Sequence, residues 1–277
     1  MANAIGRRGF EAMLIRSSTI FLMALILLPI IVVVIMSFTA STTLEFPPPA
    51  LSFRWYADVW DMATGENASF TRLLESFWVS LIIAGLSALG CVAAGVPASY
   101  ALVRYKFAGR AAIEELLGLP IVFPAVVLGI ALLILVSASG IDFGIWQIVI
   151  AHCIIFLPFM MRNCMTALKS VDPALEEAAK TLGASPLRTF FEIVLPLIRS
   201  GVASGVLLVF VLSFNEFTLS YFLYTVDVFP LSIWLFQQSN TSFSPAIFAI
   251  SALTIFFNAA IILIVDALVG RGGGALR

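Results

Sequence analysis

Charge is scarce in this chain, and so are the residues that build reactive centres. Of 277 residues only 11% are charged while 61% are hydrophobic, a balance far outside that of soluble domains and typical of a chain that crosses a membrane repeatedly. The net charge of −1 leaves no basic face for nucleic acid and no acidic tail. One histidine, His152, and three cysteines, Cys91, Cys153 and Cys164, lie in or beside apolar runs. An odd, scattered set of thiols gives no disulfide framework and no metal spacing. His152 and Cys153 are adjacent, but neighbours on a helix point about 100° apart, so they read as packed helix residues. The histidine has no patterned serine, cysteine or carboxylate partner, which argues against an intramembrane enzyme. No G-x-x-x-x-G-K-[ST] run occurs, so the chain has no P-loop for ATP phosphates. The pairs Glu114-Glu115 and Glu176-Glu177 fall at expected helix starts, where acids serve the helix. Neither an internal repeat nor a low-complexity tract is visible.

Long uncharged runs are what the sequence has in quantity. Residues 19–38 form the first; it is long for a signal-peptide core and no A-x-A site follows, so a retained helix is expected. Residues 39–75 read as a polar loop whose Trp55, Tyr56 and Trp60 suit a membrane interface. Further spans are expected over about 76–103, 116–137, 143–161, 198–223 and 245–265. Gly85, Gly90, Gly95 and Pro97 in the second permit close packing or a kink, and Pro120 and Pro124 suggest a bent entry to the third. Gly201 to Gly205 opens the fifth with a small-residue face. Residues 227–244 read as an outer loop with a short interfacial helix. The expected fold is therefore all-α, a single polytopic membrane domain over 1–277 with six transmembrane helices. Every Lys and Arg except Arg54 and Arg72 falls at the termini, after the second span, or around the charged segment after the fourth. The positive-inside rule puts both termini and that segment in the cytoplasm.

That segment, about 170–196, is a charged island between two apolar runs. Asp172 is a good N-cap before Pro173, Glu176 and Glu177 favour a helix start, and Gly183 can close the helix in a left-handed conformation. Ser185-Pro186 repeats the start signal, and an extended residue is expected at Leu195, before Pro196. The product is a helix-turn-helix knuckle. Glu177-Ala178-Ala179, then Gly183 and Ala184, and after nine intervening residues from Gly183 Ile193, Leu195 and Pro196, resembles the EAA loop of permease subunits in bacterial ATP-binding-cassette (ABC) importers. The resemblance implies that the knuckle docks in a cleft of a separate ATPase dimer, which binds ATP and Mg, so that this chain carries no cofactor. It also implies a second, similar permease, a periplasmic solute-binding protein and surrounding membrane lipid. Glu177 is the position expected to make a charged contact with the ATPase, and Ala178, Ala179 and Gly183 to keep the docking surface small.

Within the fifth expected span lies Glu216. An ionisable group there costs at least roughly 2.5 kcal/mol unless paired, and so is a functional candidate by default. On a continuous helix Ser213, Glu216 and Ser220 share one face, with Asn215 beside them, and Glu216 falls roughly 27 Å from Ile198, in the outer half of the bilayer. This polar stripe is the candidate solute path, with an interhelical salt bridge or snorkelling as the alternative. Ser213-Phe214-Asn215-Glu216-Phe217, with Leu231-Ser232-Ile233-Trp234, is similar to the polyamine (spermidine/putrescine) branch of these permeases. Many members carry two acids after Ser-Phe where this chain has Asn215-Glu216. Permeases for other small solutes (opine, phosphonate or iron-like) and an ATP-independent transporter or channel, with Glu216 as its ion site, are the alternatives.

Overall fold

The computed structural model describes residues 2–64, 68–140, 144–241 and 244–273. Phe143, the expected start of the fourth span, Asp142 and Arg277 lie outside the described residues. Those described contain no strand, only an isolated bridge between Thr39 and Leu51. The fold is all-α. Four helical segments are long and apolar enough to cross a membrane, Met13–Met36, Arg72–Arg104, Ile145–Lys169 and Ala246–Ala267, and two bent pairs raise the number to as many as six.

The chain divides into two compact units. The first comprises residues 1–67 and 238–257. It holds α1 (Ala2–Met36) and α2 (Arg54–Thr64), the latter inside the stretch expected to be a loop. Aromatic contacts order it: Phe38, Phe53 and Tyr56 pack ring to ring, and the Tyr56 hydroxyl meets the Ser37 hydroxyl at 2.7 Å.

The second unit comprises residues 68–237 and 258–277. Its long members are α3 (Ala68–Arg104), α6 (Ile145–Lys169) and α10 (Arg199–Phe214). Helices in lipid gain little from apolar burial against one another, so close approach and side-chain hydrogen bonds must hold them. The α3–α6 contact shows both. Ser87 Oγ, Cys91 Sγ and Ser99 Oγ donate to the carbonyls of Val149, Cys153 and Met161, each 62 residues on. A constant offset means two parallel helices in fixed register. Around that seam Ala88, Cys91, Phe156, Met160, Cys164, Ile198 and Val209 form the main core.

The third expected span enters through a break, as its prolines suggest. α4 (Arg110–Gly118) passes into a 3-10 turn at Leu119–Ile121, and α5 (Ala125–Ser139) leaves at 98°. Pro120 sits in that turn and Pro124 caps α5. The fourth helix runs on to Lys169 instead of ending near Met161, because the polar residues from Arg162 onward carry it toward the knuckle. The fifth span is not continuous: α10 ends at Phe214 and α11 (Thr218–Leu223) follows after a break. α12 (Leu231–Thr241) fills part of the expected outer loop, and α13 (Ala246–Gly273) closes the chain.

The knuckle itself is α7 (Ala174–Thr181) and α8 (Pro186–Thr189), then a π turn at Phe190–Val194 and a short α9 (Leu195–Leu197). Leu195 is helical (φ −59°, ψ −44°), not extended as expected ahead of a proline. The wide turn is the reason. Leu195 N–H reaches the carbonyl of Phe190, five residues back, so the backbone ahead of Pro196 is wider than an α-turn, where the ring would meet the carbonyl four residues behind.

Candidate functional site

Two sites emerge, one at each end of α10. At the knuckle, local sequence rules act as read. Asp172 Oδ1 accepts from Ala174 N–H at 2.9 Å, Ser185 Oγ accepts from Arg188 N–H at 3.3 Å, and Gly183 closes α7 with φ +87°. Glu177, Ala178 and Gly183 are exposed, Ala184 is half-buried, and Pro196 is exposed beside half-buried Leu195. Ala179 is buried on the inner face of α7 and so does not lie on the outer surface with Ala178.

Two features of the knuckle escaped sequence reasoning. Leu182 is 88% exposed and Leu187 72%, with Phe191 also exposed, an apolar group on the charged knuckle. Such patches mark protein contacts. The available signal was large apolar residues flanking Gly183 and Pro186 in an otherwise charged island. Glu176 is the second: it is buried, bonded to Arg104 and Tyr100 of α3.

At the other end of α10 the structure gathers Ser213, Glu216 and Ser220, though not by the continuous helix expected of them. They converge on His152 of α6, the residue that had no visible partner in the sequence. His152 is 1% exposed; its Nδ1 meets Ser213 Oγ at 2.7 Å and its Nε2 meets Ser220 Oγ at 3.2 Å and Glu216 Oε2 at 3.4 Å. The Glu216 carboxylate, 10% exposed, also accepts the backbone N–H groups of Leu219 (3.0 Å) and Ser220 (3.1 Å). It therefore caps α11 across the break. The Glu216 carbonyl accepts from Ser232 Oγ at 2.9 Å, and Gln147 Nε2 donates to the Leu223 carbonyl at 2.9 Å, so α6 and α12 fix both ends of this short helix. Asn215 points elsewhere. It is exposed, and its amide donates to Asn258 Oδ1 of α13 at 3.1 Å. Among the described residues no cluster of three or more His, Cys, Asp or Glu could hold a metal ion.

Apolar helices carrying a charged helical knuckle, in a chain with no nucleotide-binding loop, define a membrane-embedded transport subunit. The chain belongs to the family of binding-protein-dependent transport system inner membrane components, which matches residues 87–271. It is a multi-pass inner-membrane permease subunit of an ABC importer, a class in which ATP is hydrolysed on a separate subunit. The chain is 29% identical over 250 residues to the spermidine/putrescine transport system permease protein PotC of Escherichia coli, covering 90% of both. It is 32% identical over 212 residues to the molybdate/tungstate transport system permease protein WtpB of Pyrococcus abyssi, covering 76% of this chain and 77% of that one. In fold it resembles a bacterial ABC transporter involved in import of the acidic polysaccharide alginate, with a TM-score of 0.68 at 19% identity over 94% of this chain and 96% of that one.

Proposed function

We propose that this permease forms half of a translocation path with a second, similar permease, and moves a small polyamine-like solute handed over by a periplasmic binding protein. An ATPase dimer grips the knuckle from the cytoplasm. One observation carries the coupling part: α7 is closed by left-handed Gly183 and presents Glu177 and Ala178 outward, with exposed Leu182 and Leu187 just beyond it in the same charged knuckle. The solute part rests on likeness to PotC over 90% of the chain. Glu216 adds less to it than its sequence position suggests, because its carboxylate is engaged by His152 and two backbone N–H groups. Asn215 and Asn258 suit the path better. An amide pair with one exposed member, Asn215, and one half-buried, Asn258, would be costly facing lipid, so it belongs against water or the partner permease.

Likeness to WtpB supports a second reading, an oxyanion solute. Co-expression of this chain with its ATPase, partner permease and binding protein, followed by reconstitution, decides between them. Spermidine should raise ATP hydrolysis in the presence of the binding protein. Stimulation by molybdate alone would replace the polyamine reading, and full transport by the isolated chain would remove the importer.

A further inference from the structure

Glu176 and Glu177 are neighbours that face opposite ways. Glu177 is exposed, whereas Glu176 is 4% exposed and held by two side chains at the end of α3. Arg104 Nε donates to Glu176 Oε1 at 2.6 Å, and the Tyr100 hydroxyl donates to Oε2 at 2.7 Å. Arg104 Nη2 also donates to the Val171 carbonyl at 2.9 Å, in the turn between α6 and α7. The Tyr100 ring stands edge-on to Phe190, the first residue of the π turn, with centroids 5.1 Å apart. The last turn of α3 is thus tied to the turn before α7, to α7 itself and to the entry of α10.

An exposed ion pair between flexible side chains would let α7 shift without moving α3. This pair is desolvated, and its carboxylate is bonded on both oxygens, so a break leaves a buried charge uncompensated. Displacement of α7 is then cheaper if α3 follows. We infer that Glu176, Arg104 and Tyr100 form a strut that delivers knuckle motion to α3, and through its fixed register to α6, in parallel with the covalent route into α10. Glu176 is a positioning residue in this scheme. The inference rests on the importer reading.

The test uses the assembled complex of this chain with its ATPase, partner permease and binding protein in lipid nanodiscs or proteoliposomes. Two variants are compared with the unsubstituted complex: Glu176→Gln, and the paired Glu176→Met with Arg104→Met, which keeps the volume apolar and leaves no lone charge. Melting temperature, ATPase retention, ATP hydrolysis with and without binding protein loaded with spermidine or with molybdate, and the stimulating solute moved per ATP are measured on the same preparations. Both variants should retain the ATPase and lose about fivefold or more of the stimulation by loaded binding protein and of the solute moved per ATP. The paired variant should do so at an unchanged melting temperature. Solute per ATP at the unsubstituted level in the paired variant would overturn the strut, even if Glu176→Gln fails to assemble. Lack of any stimulation in the unsubstituted complex would instead overturn the importer reading, and the strut with it.

Discussion

Glu216 occupies a place where a carboxylate alone would be costly, and its neighbours offset that cost. The backbone N–H groups of Leu219 and Ser220 and the ring of His152 surround it. Losing one member of a buried polar network leaves the others unsatisfied, at about 1–3 kcal/mol each. His152→Ala should therefore lower the melting temperature of the purified complex by several degrees, and Glu216→Gln by less, since an amide oxygen still accepts one N–H. Neither should alter the preference between spermidine and molybdate. A changed preference at unchanged melting temperature would return Glu216 to the solute path. The spacing of Ser213, Glu216 and Ser220 announced a shared environment, and that part was legible. Their partner was not: periodicity reports which face a residue occupies, whereas His152 lies 61 residues from Ser213 and 68 from Ser220.

At the scale of elements, α10 lies against α6 through two glycines that differ in what they meet. A Cβ at Gly201 would collide with Ala167 Cβ and stand 3.0 Å from the Asn163 carbonyl oxygen, atoms that cannot turn aside. A Cβ at Gly205 would collide with the Met160 thioether, the far end of a flexible side chain. Gly201→Ala should thus be the worse substitution, by about 1–3 kcal/mol as for overpacked cores, with Gly205→Ala close to neutral. Thermal melts of both variants check the order, and equal losses would refute it. The small-residue face was visible in the sequence; which glycine abuts backbone depends on the rotation of α6 and was not. Helix ends were hidden for a related reason. Hydropathy marks where a helix meets lipid, so it missed the continuation of α6 through Arg162 to Lys169 and the ordering of α2 by aromatic contacts.

At the scale of the whole molecule, the proposed docking of an ATPase on the knuckle makes its exposed leucines the groups expected to fill pockets in that partner. Leu182→Asp with Leu187→Asp should abolish ATPase co-purification while leaving membrane insertion intact, and Glu177→Lys should weaken it by about tenfold, near 1.4 kcal/mol. Pull-down from solubilised membranes reads both; undiminished retention of the ATPase by the double variant would place the contact elsewhere. The π turn beside that surface carries a different consequence, one of chain length. A π turn is an α-helix holding one residue more than it needs, and that surplus is what lets Pro196 sit in a helical path. The segment is therefore the one place between α8 and α10 where a residue can be removed without turning everything downstream by about 100°. Deleting Ile193 together with Pro196→Ala should yield a folded, inserted permease by thermal melt and membrane fractionation. The same deletion without the proline change should lose stability, and a deletion at Val209, inside α10, should not fold at all.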